Sequence, residues 1–368
     1  GSSHMTSSIK PVTVYFGGGL NLTTALVALK PGEALQLHNY EVNTVGRYQS
    51  ILGFERFDGK PAPSGVKATA LAGYPFVDAE AEQAAVVAER ELRRQVIEKL
   101  PGEGPTLGVF SIKGTKYGIR KDVGAETASL YRATASGWQK VVTPGLPVGL
   151  YSFVDANFTG SSGTLEVIGC SGAGKAIRFN GTTLTFINGP ITPDQPTHVI
   201  ALPSQVLLMA YKGGSFVFSG VNEPEKFSPI DGGGEIGCAD EIVGFSLQAN
   251  NSCAVFCRNR TYVLYGKSKL DFNLTDLSTK TGAIPKSIQS IGDSIYLDDR
   301  GLTLLNRVQA FGNFNMATIS DKIRPLIERY KDYVVGSWVV KGKNQYRILF
   351  SDKTGIILTF FGDQVAGF

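Results

Sequence analysis

Apolar and polar positions along this chain fall into two regimes. From Thr106 to Phe368, short runs of β-branched and aromatic residues alternate with clusters of Gly, Pro, Asn, Asp and Ser, the pattern of strands joined by tight turns. The grouping repeats loosely every roughly 35–45 residues, close to the length of a four-stranded propeller blade. Six segments fit it: Thr106–Thr143, Leu146–Pro190, Thr197–Ile230, Ile236–Thr279, Ile284–Ser320 and Tyr333–Phe368. The spacing predicts a mainly β chain, a six-bladed β-propeller preceded by an extended segment and one inserted helix. No blade of such a repeat buries its apolar faces alone.

One inner strand stands out in each segment: Ala128–Arg132, Lys175–Phe179, Ser215–Phe218, Arg260–Tyr265, Gly301–Leu305 and Gly355–Phe360. Alternation within them is imperfect, as in Thr261-Tyr262-Val263-Leu264-Tyr265, which suits strands covered on both faces by neighbouring blades. In the second segment, Thr164–Ile168 and Lys175–Phe179 read as strands. Asn180-Gly181, a dipeptide that tolerates a type I′ turn, then leads into Thr182–Phe186. Breakers separate the segments at Pro144-Gly145, Gly189-Pro190, Gly232–Gly234, Gly282 and Pro285.

Before the repeats the pattern changes. Residues 1–5, Gly-Ser-Ser-His-Met, read as an expression-tag scar and are set aside. Residues 6–105 hold an extended, glycine-spaced stretch and then a helix over 78–100, expected to pack on the propeller domain of 106–368. Asp78 caps that helix, Glu80 and Glu82 complement its N-terminal dipole, and Lys99 precedes Pro101 at its end. Ala81, Ala85, Ala88, Leu92 and Val96 form a narrow stripe of mostly small residues, and Glu89 precedes Arg93 by one turn. The stripe is a candidate subunit interface; packing on its own propeller is the other reading. A second short helix is expected from Pro325, covering Leu326–Tyr330 between the last two blades as a structural plug.

Composition narrows the function classes. The chain has 368 residues, 42% of them hydrophobic, with 44 glycines and only 18% charged residues, which suits buried strands and tight turns. A net charge of +4 from 36 basic and 32 acidic residues, with no basic stripe among aromatics, argues against sequence-specific DNA reading. No run is long enough to span a bilayer, so no membrane insertion is expected. Cys170, Cys238, Cys253 and Cys257 make no metal-ligand pattern, since Cys253 and Cys257 on one strand stand too far apart to chelate one ion. Buried structural roles are expected for the cysteines, and turn or core roles for His38 and His198.

Two motifs imitate chemistry. Gly169-Cys170-Ser171-Gly172-Ala173-Gly174-Lys175 matches most of a phosphate-binding loop, yet Ala176 stands where the magnesium-binding Ser/Thr belongs and strands follow where a helix is needed. A glycine-rich hairpin is the expectation. Asp299-Arg300-Gly301-Leu302-Thr303 resembles part of the Asp-box turn of sialidase-type propellers, a structural device. Acid pairs such as Asp298-Asp299 and Asp240-Glu241 could serve a glycosidase, but adjacent carboxylates on a strand would point to opposite faces, and solvated turns are the expectation. No catalytic residue, cofactor or metal is assigned, and no enzymatic activity is expected.

The N-terminal stretch carries a resemblance. Gly17-Gly18-Gly19-Leu20-Asn21, Pro31-Gly32, Asn39-Tyr40-Glu41, Gly46-Arg47-Tyr48 and Gly53-Phe54-Glu55-Arg56-Phe57 resemble the opening of the propeller proteins in short-tailed bacteriophage tails. These form the tail tubular protein B, nozzle or packaged-DNA stabilisation family. The stretch is also similar to phage virion proteins with a helix before their repeats. The resemblance implies a virion structural protein made in the host bacterial cytoplasm. Six copies would form a ring below portal and adaptor, retain the genome, dock tail fibres or receptor-binding proteins, and conduct DNA during ejection. DNA would touch the channel only non-specifically. The segment Gln49–Phe57 is expected to join the edge of a later blade and so protect it. A second reading is a glycan-binding or glycan-cleaving propeller, such as a phage adhesin or sialidase-like protein, in which Trp138, Trp338, Tyr211 or Tyr262 stack on sugars beside arginines and a Tyr/Glu pair. A third, an interaction scaffold of the WD-repeat kind, lacks the Trp-Asp blade ends.

Overall fold

The computed structural model describes residues 19–23, 33–34, 36, 40–42, 47–50, 74–96, 98–161, 163–306, 320–361 and 364–367. Among the described residues two short strand pairs come first. Gly19–Leu20 (β1) lies parallel to Glu33–Ala34 (β2), and Tyr40–Val42 (β3) lies antiparallel to Tyr48–Ser50 (β4). Helix α1 comes next at Ala79–Val96, its first turn capped by Asp78, whose Oδ1 accepts from Ala81 N at 2.8 Å.

Six sheets succeed it in chain order, each an antiparallel meander. Blade one is Glu103–Ile112 (β5), Thr115–Lys121 (β6), Ala128–Thr134 (β7) and Gly137–Lys140 (β8). Blade two is Ser152–Ala156 (β9), Glu166–Cys170 (β10), Ala176–Phe179 (β11) and Leu184–Ile187 (β12). Blade three is His198–Ala201 (β13), Leu207–Tyr211 (β14), Ser215–Phe218 (β15) and Gly234–Gly237 (β16). Blade four is Ile242–Leu247 (β17), Cys253–Cys257 (β18), Thr261–Tyr265 (β19) and Asn273–Ser278 (β20). Among the described residues blade five has three strands, Gln289–Ser290 (β21), Ser294–Leu297 (β22) and Leu302–Leu304 (β23). Helix α2, Arg324–Tyr330, precedes blade six, made of Val334–Val340 (β24), Gln345–Phe350 (β25), Gly355–Phe361 (β26) and Gln364–Gly367 (β27). The chain is a mainly β, six-bladed β-propeller with one helix inserted before the blades. Each inner strand singled out in the sequence is the third strand of its blade.

The chain divides into two compact units, Gly53–Thr279, and Gly1–Leu52 with Lys280–Phe368. In the first unit, blades one to four bury their central strands on both faces. Along β10, Val167 enters the core shared with blade one, while Ile168 enters the core shared with blade three. Along β14, Leu208 and Ala210 face blade four, while Leu207, Met209 and Tyr211 face blade two. Two-sided burial is why these strands carry continuous apolar runs without a period of two. In the second unit, β22, β23, β25 and β26 share one core with Ile323 and Ile327, the latter projecting from α2, and Tyr330 stacks on Phe350.

Three local expectations are corrected. The glycine run at 232–234 does not separate blades: a 3-10 turn at Pro229–Asp231 returns the chain to blade three as β16, so blade four begins at Ile242. The Asn180-Gly181 turn is a four-residue loop rather than a two-residue type I′ turn. Only Gly181 takes a positive φ, 94°; the Asn180 carboxamide oxygen accepts from Thr182 N and Thr183 N, satisfying backbone that a tighter turn would have paired. Tyr48–Ser50 pairs with Tyr40–Val42 in a two-stranded sheet rather than with a blade; residues 51–57 lie outside the described residues.

Candidate functional site

The small-residue stripe of α1 is divided by the structure. Ala81 and Ala85 are half-buried and Ala88 is exposed; the side chains of Leu92 and Val96 lie outside the described residues. Beside the stripe, Glu80, Gln83, Ala84, Val87, Ala88 and Glu91 line a shallow surface. Helical geometry puts Ala88 at the border of the two faces. The open face is therefore the one carrying Ala84 and Val87, with carboxylates at both ends.

The phosphate-loop imitation is explained residue by residue. Gly169 lies in β10 opposite Phe153 of β9, and a Cβ there would come within 2.6 Å of the Phe153 ring. A Cβ at Gly174 would meet Pro147 at 2.5 Å. The loop glycines make room for a neighbouring ring and a proline. Lys175 donates to Asn188 Oδ1 at 2.6 Å, a bond within blade two. The chain runs from Lys175 straight into β11, with no helix N-terminus there to receive a phosphate.

The Asp-box imitation pivots on Asp298 rather than Asp299. Asp298 is buried, and its Oδ1 accepts from Arg300 N at 2.7 Å and Gly301 N at 3.0 Å, while Thr303 Oγ1 donates to Oδ2 at 3.0 Å. Asp299 points outward and pairs with Lys331. Burial raises the Asp298 carboxyl, outweighing the bonds it accepts. A carboxylate fully engaged in holding its own turn has no lone pair directed to a substrate.

Two charged assemblies are more elaborate. In the unit that contains both chain ends, Glu41 of β3 is buried and accepts from Lys343 Nζ at 2.7 Å, Gln49 Nε2 at 2.6 Å, Gln345 Nε2 at 3.1 Å and Arg347 Nη2 at 3.1 Å. Burial alone would raise this carboxyl; the bonds from Lys343, Gln49 and Gln345 hold it below its usual value. In the other unit three arginines each meet a Glu or Tyr. Arg178 donates to Glu166 through Nε at 2.5 Å and Nη2 at 2.9 Å, Arg132 bonds to Tyr117, and Arg260 to Tyr262.

The aromatic residues weighed for stacking divide by burial. Tyr211 and Tyr262 are buried and their hydroxyls are engaged, with Asp194 and with Ala239 N and Arg260. Trp138 is half-buried on β8, and Trp338 is 40% exposed on β24. His198 is half-buried on β13 beside the Thr197 hydroxyl, and burial lowers its pKa to about 4; His38 lies outside the described residues. Cys170, Cys253 and Cys257 are buried, whereas Cys238 is half-buried and packs on the core that contains Cys257. Their separation in sequence gave no signal of that shared core. Glu41 was missed as a structural centre for the same reason: three of its four partners, Lys343, Gln345 and Arg347, lie some three hundred residues away. Among the described residues no group of three or more His, Cys, Asp and Glu is placed to hold a metal ion, and no helix is long and apolar enough to cross a membrane.

No protein-family model matches the chain, and no curated protein does. Similar solved structures include YCF48 bound to D1 peptide, at 16% identity and TM-score 0.38, covering 56% of this chain and 64% of that one. The extracellular domain of the putative hybrid two-component system BT3049 from B. thetaiotaomicron aligns at 9% identity and TM-score 0.47, covering 70% of this chain and 34% of that one. Virginiamycin B lyase from Staphylococcus aureus aligns at 11% identity and TM-score 0.43, covering 69% and 84%. The chain thus spans less than two thirds of the first two.

Proposed function

We propose that this chain is a structural protein of a phage virion, the tail nozzle or hub of a short-tailed bacteriophage. The observation that carries the reading is the buried Glu41 assembly. Asn39-Tyr40-Glu41 belongs to the stretch that resembles the nozzle family, and Glu41 is held by Lys343, Gln345 and Arg347 of the last blade. A conduit under internal pressure needs its chain ends tied into a rigid core, and removing one member of a buried ion cluster is strongly destabilising. The side chains that imitate catalytic motifs are engaged in turns, which suits a part that works by shape. In this reading six copies form a ring below the portal and adaptor, contact DNA without sequence preference and offer docking sites for fibres.

Imaging of tails labelled on this chain, with rotational averaging around the tail axis, tests the reading. A six-fold ring carrying the label is expected. A label confined to fibre tips, or a three- or five-fold ring at the nozzle position, overturns it.

A further inference from the structure

Where blade three passes into blade four, Cys238 and Cys257 pack in one core. Cys238 immediately follows β16, and its N–H donates to Gly214 O at 2.6 Å. Cys257 ends β18, and its N–H donates to Arg260 O at 2.8 Å. The Tyr262 hydroxyl accepts from Ala239 N at 3.2 Å, holding the residue after Cys238 against β19. Cys257 is fully buried in the core shared by these blades, and Cys238 packs on that core from a half-exposed position. One thiol is reachable and the other is protected behind it, in a backbone frame fixed by hydrogen bonds.

We propose that Cys238 and Cys257 form a redox site that closes into a cross-blade disulfide on reaction with a small disulfide. Cys238 is the attacking sulfur because it is the accessible member of the pair while Cys257 is fully buried; in the same sense, interaction with Cys257 lowers the pKa of Cys238, while that interaction and burial raise that of Cys257. A lowered pKa in an accessible position marks the reactive member of a thiol pair. The Cys238 thiolate attacks one sulfur of R–S–S–R, the sulfur–sulfur bond breaks, and R–S⁻ leaves to take up a proton. Cys257 then loses its proton, attacks Cys238 Sγ in the mixed disulfide and displaces the second R–S⁻. One external disulfide is reduced to two thiols, and one protein disulfide is formed.

The product would join the exit of blade three to the β18–β19 turn, with β17 and β18 in the closed loop. Cross-linking of this kind restricts the unfolded chain and raises stability when the native geometry accepts it. Asp240 and Asp276 oppose negative charge at Cys238, and Arg260 lies on the Cys257 side. A cationic disulfide, cystamine, is therefore the suitable probe. Cys170 and Cys253 are internal controls, because both are buried and burial raises both thiols, that of Cys253 to about 12.

The test treats the folded, reduced full chain with cystamine and maps its peptides without reduction. Expected are peptides of Cys238 and Cys257 joined to each other, with Cys170 and Cys253 free and modified on the order of tenfold more slowly or less. Cys257→Ala should stop at a mixed disulfide on Cys238, and the wild-type melting midpoint should rise on oxidation and fall back with dithiothreitol. Absence of the joined peptide, joining through Cys253, modification of Cys238 no faster than the controls, or an unchanged midpoint in the joined protein would each overturn the proposal. The wild-type mapping stands whether or not the variant folds.

Discussion

The guanidinium of Arg132 holds the carbonyl of Gly181. Its Nη2 donates to that oxygen at 3.0 Å and its Nε to the Tyr117 hydroxyl at 3.1 Å. The same loop receives Lys113 Nζ on Asn180 O and Tyr117 OH on Gly181 O. Three donors of blade one thus converge on the hairpin loop of blade two, whose carbonyls point outward because its own N–H groups are served by the Asn180 side chain. Local turn chemistry here creates the acceptors that a neighbouring blade uses.

Arg132→Ala is expected to lower stability by about 1–3 kcal/mol, the range for losing charge-assisted hydrogen bonds to partly buried partners. Arg132→Lys should recover less than half, since one ammonium cannot reproduce a planar fork reaching two oxygens. Urea unfolding measures both. A lysine variant as stable as the wild type would show that charge alone joins the blades.

Acid should weaken the two units in different windows. His198 is lowered to about 4 from its ordinary 6.5, so the unfolded chain takes up its proton first. Its contribution is present above 6.5 and is lost as pH falls toward about 4. Glu41 is held below its ordinary 4.5, so its contribution is present above that value and is lost as pH falls through the lowered one. Urea midpoints followed from pH 7 downward should decline in both windows. His198→Gln should flatten the upper slope alone, and Glu41→Gln the lower alone.

Asp298 should behave in the opposite sense, because burial raises its pKa in the fold. Its ionised form costs stability, so this group's contribution falls as pH rises above its ordinary 3.8. Asp298→Asn keeps one oxygen for Arg300 N and Gly301 N and should fold. Asp298→Ala leaves both N–H groups without that acceptor and should cost about 2–3 kcal/mol. Equal stability of the alanine and asparagine variants, by thermal unfolding, would show that the turn does not depend on this side chain.

Lys175→Ala should change stability by no more than about 0.5 kcal/mol, as for exposed positions in general. Titration calorimetry with ATP and magnesium should give no heat of binding for either protein. Binding to the wild type that disappears in the variant would restore the loop as a nucleotide site.

Replacing Ala79–Val96 by a short Gly/Ser bridge should leave a cooperatively unfolding β protein, because a mostly alanine stripe buries little apolar area. The bridge must spare Leu100, which is buried so close to Gly118 that a Cβ there would meet it at 2.8 Å. Under the nozzle reading the variant should fold and fail to form rings. Normal tails from the variant would remove α1 from the interface, and an unfolded variant would place it in the core.

The sequence by itself determined the mainly β class, the third strand of every blade and the short helix around Pro325, because strand, turn and cap preferences act within a few residues. It also showed where Gly169–Lys175 departs from a phosphate-binding loop, since Ala176 in place of Ser/Thr and a strand in place of a helix are local facts. Only the tertiary structure decided that Gly234–Gly237 returns to blade three, that Asp298 rather than Asp299 organises its turn, and that Asn180 serves its own loop. It alone joined Glu41 to Arg347 and brought Cys238 onto the core that holds Cys257. Such pairings link residues by burial and charge across distant strands, and neither spacing nor composition records which distant partner will share a buried position.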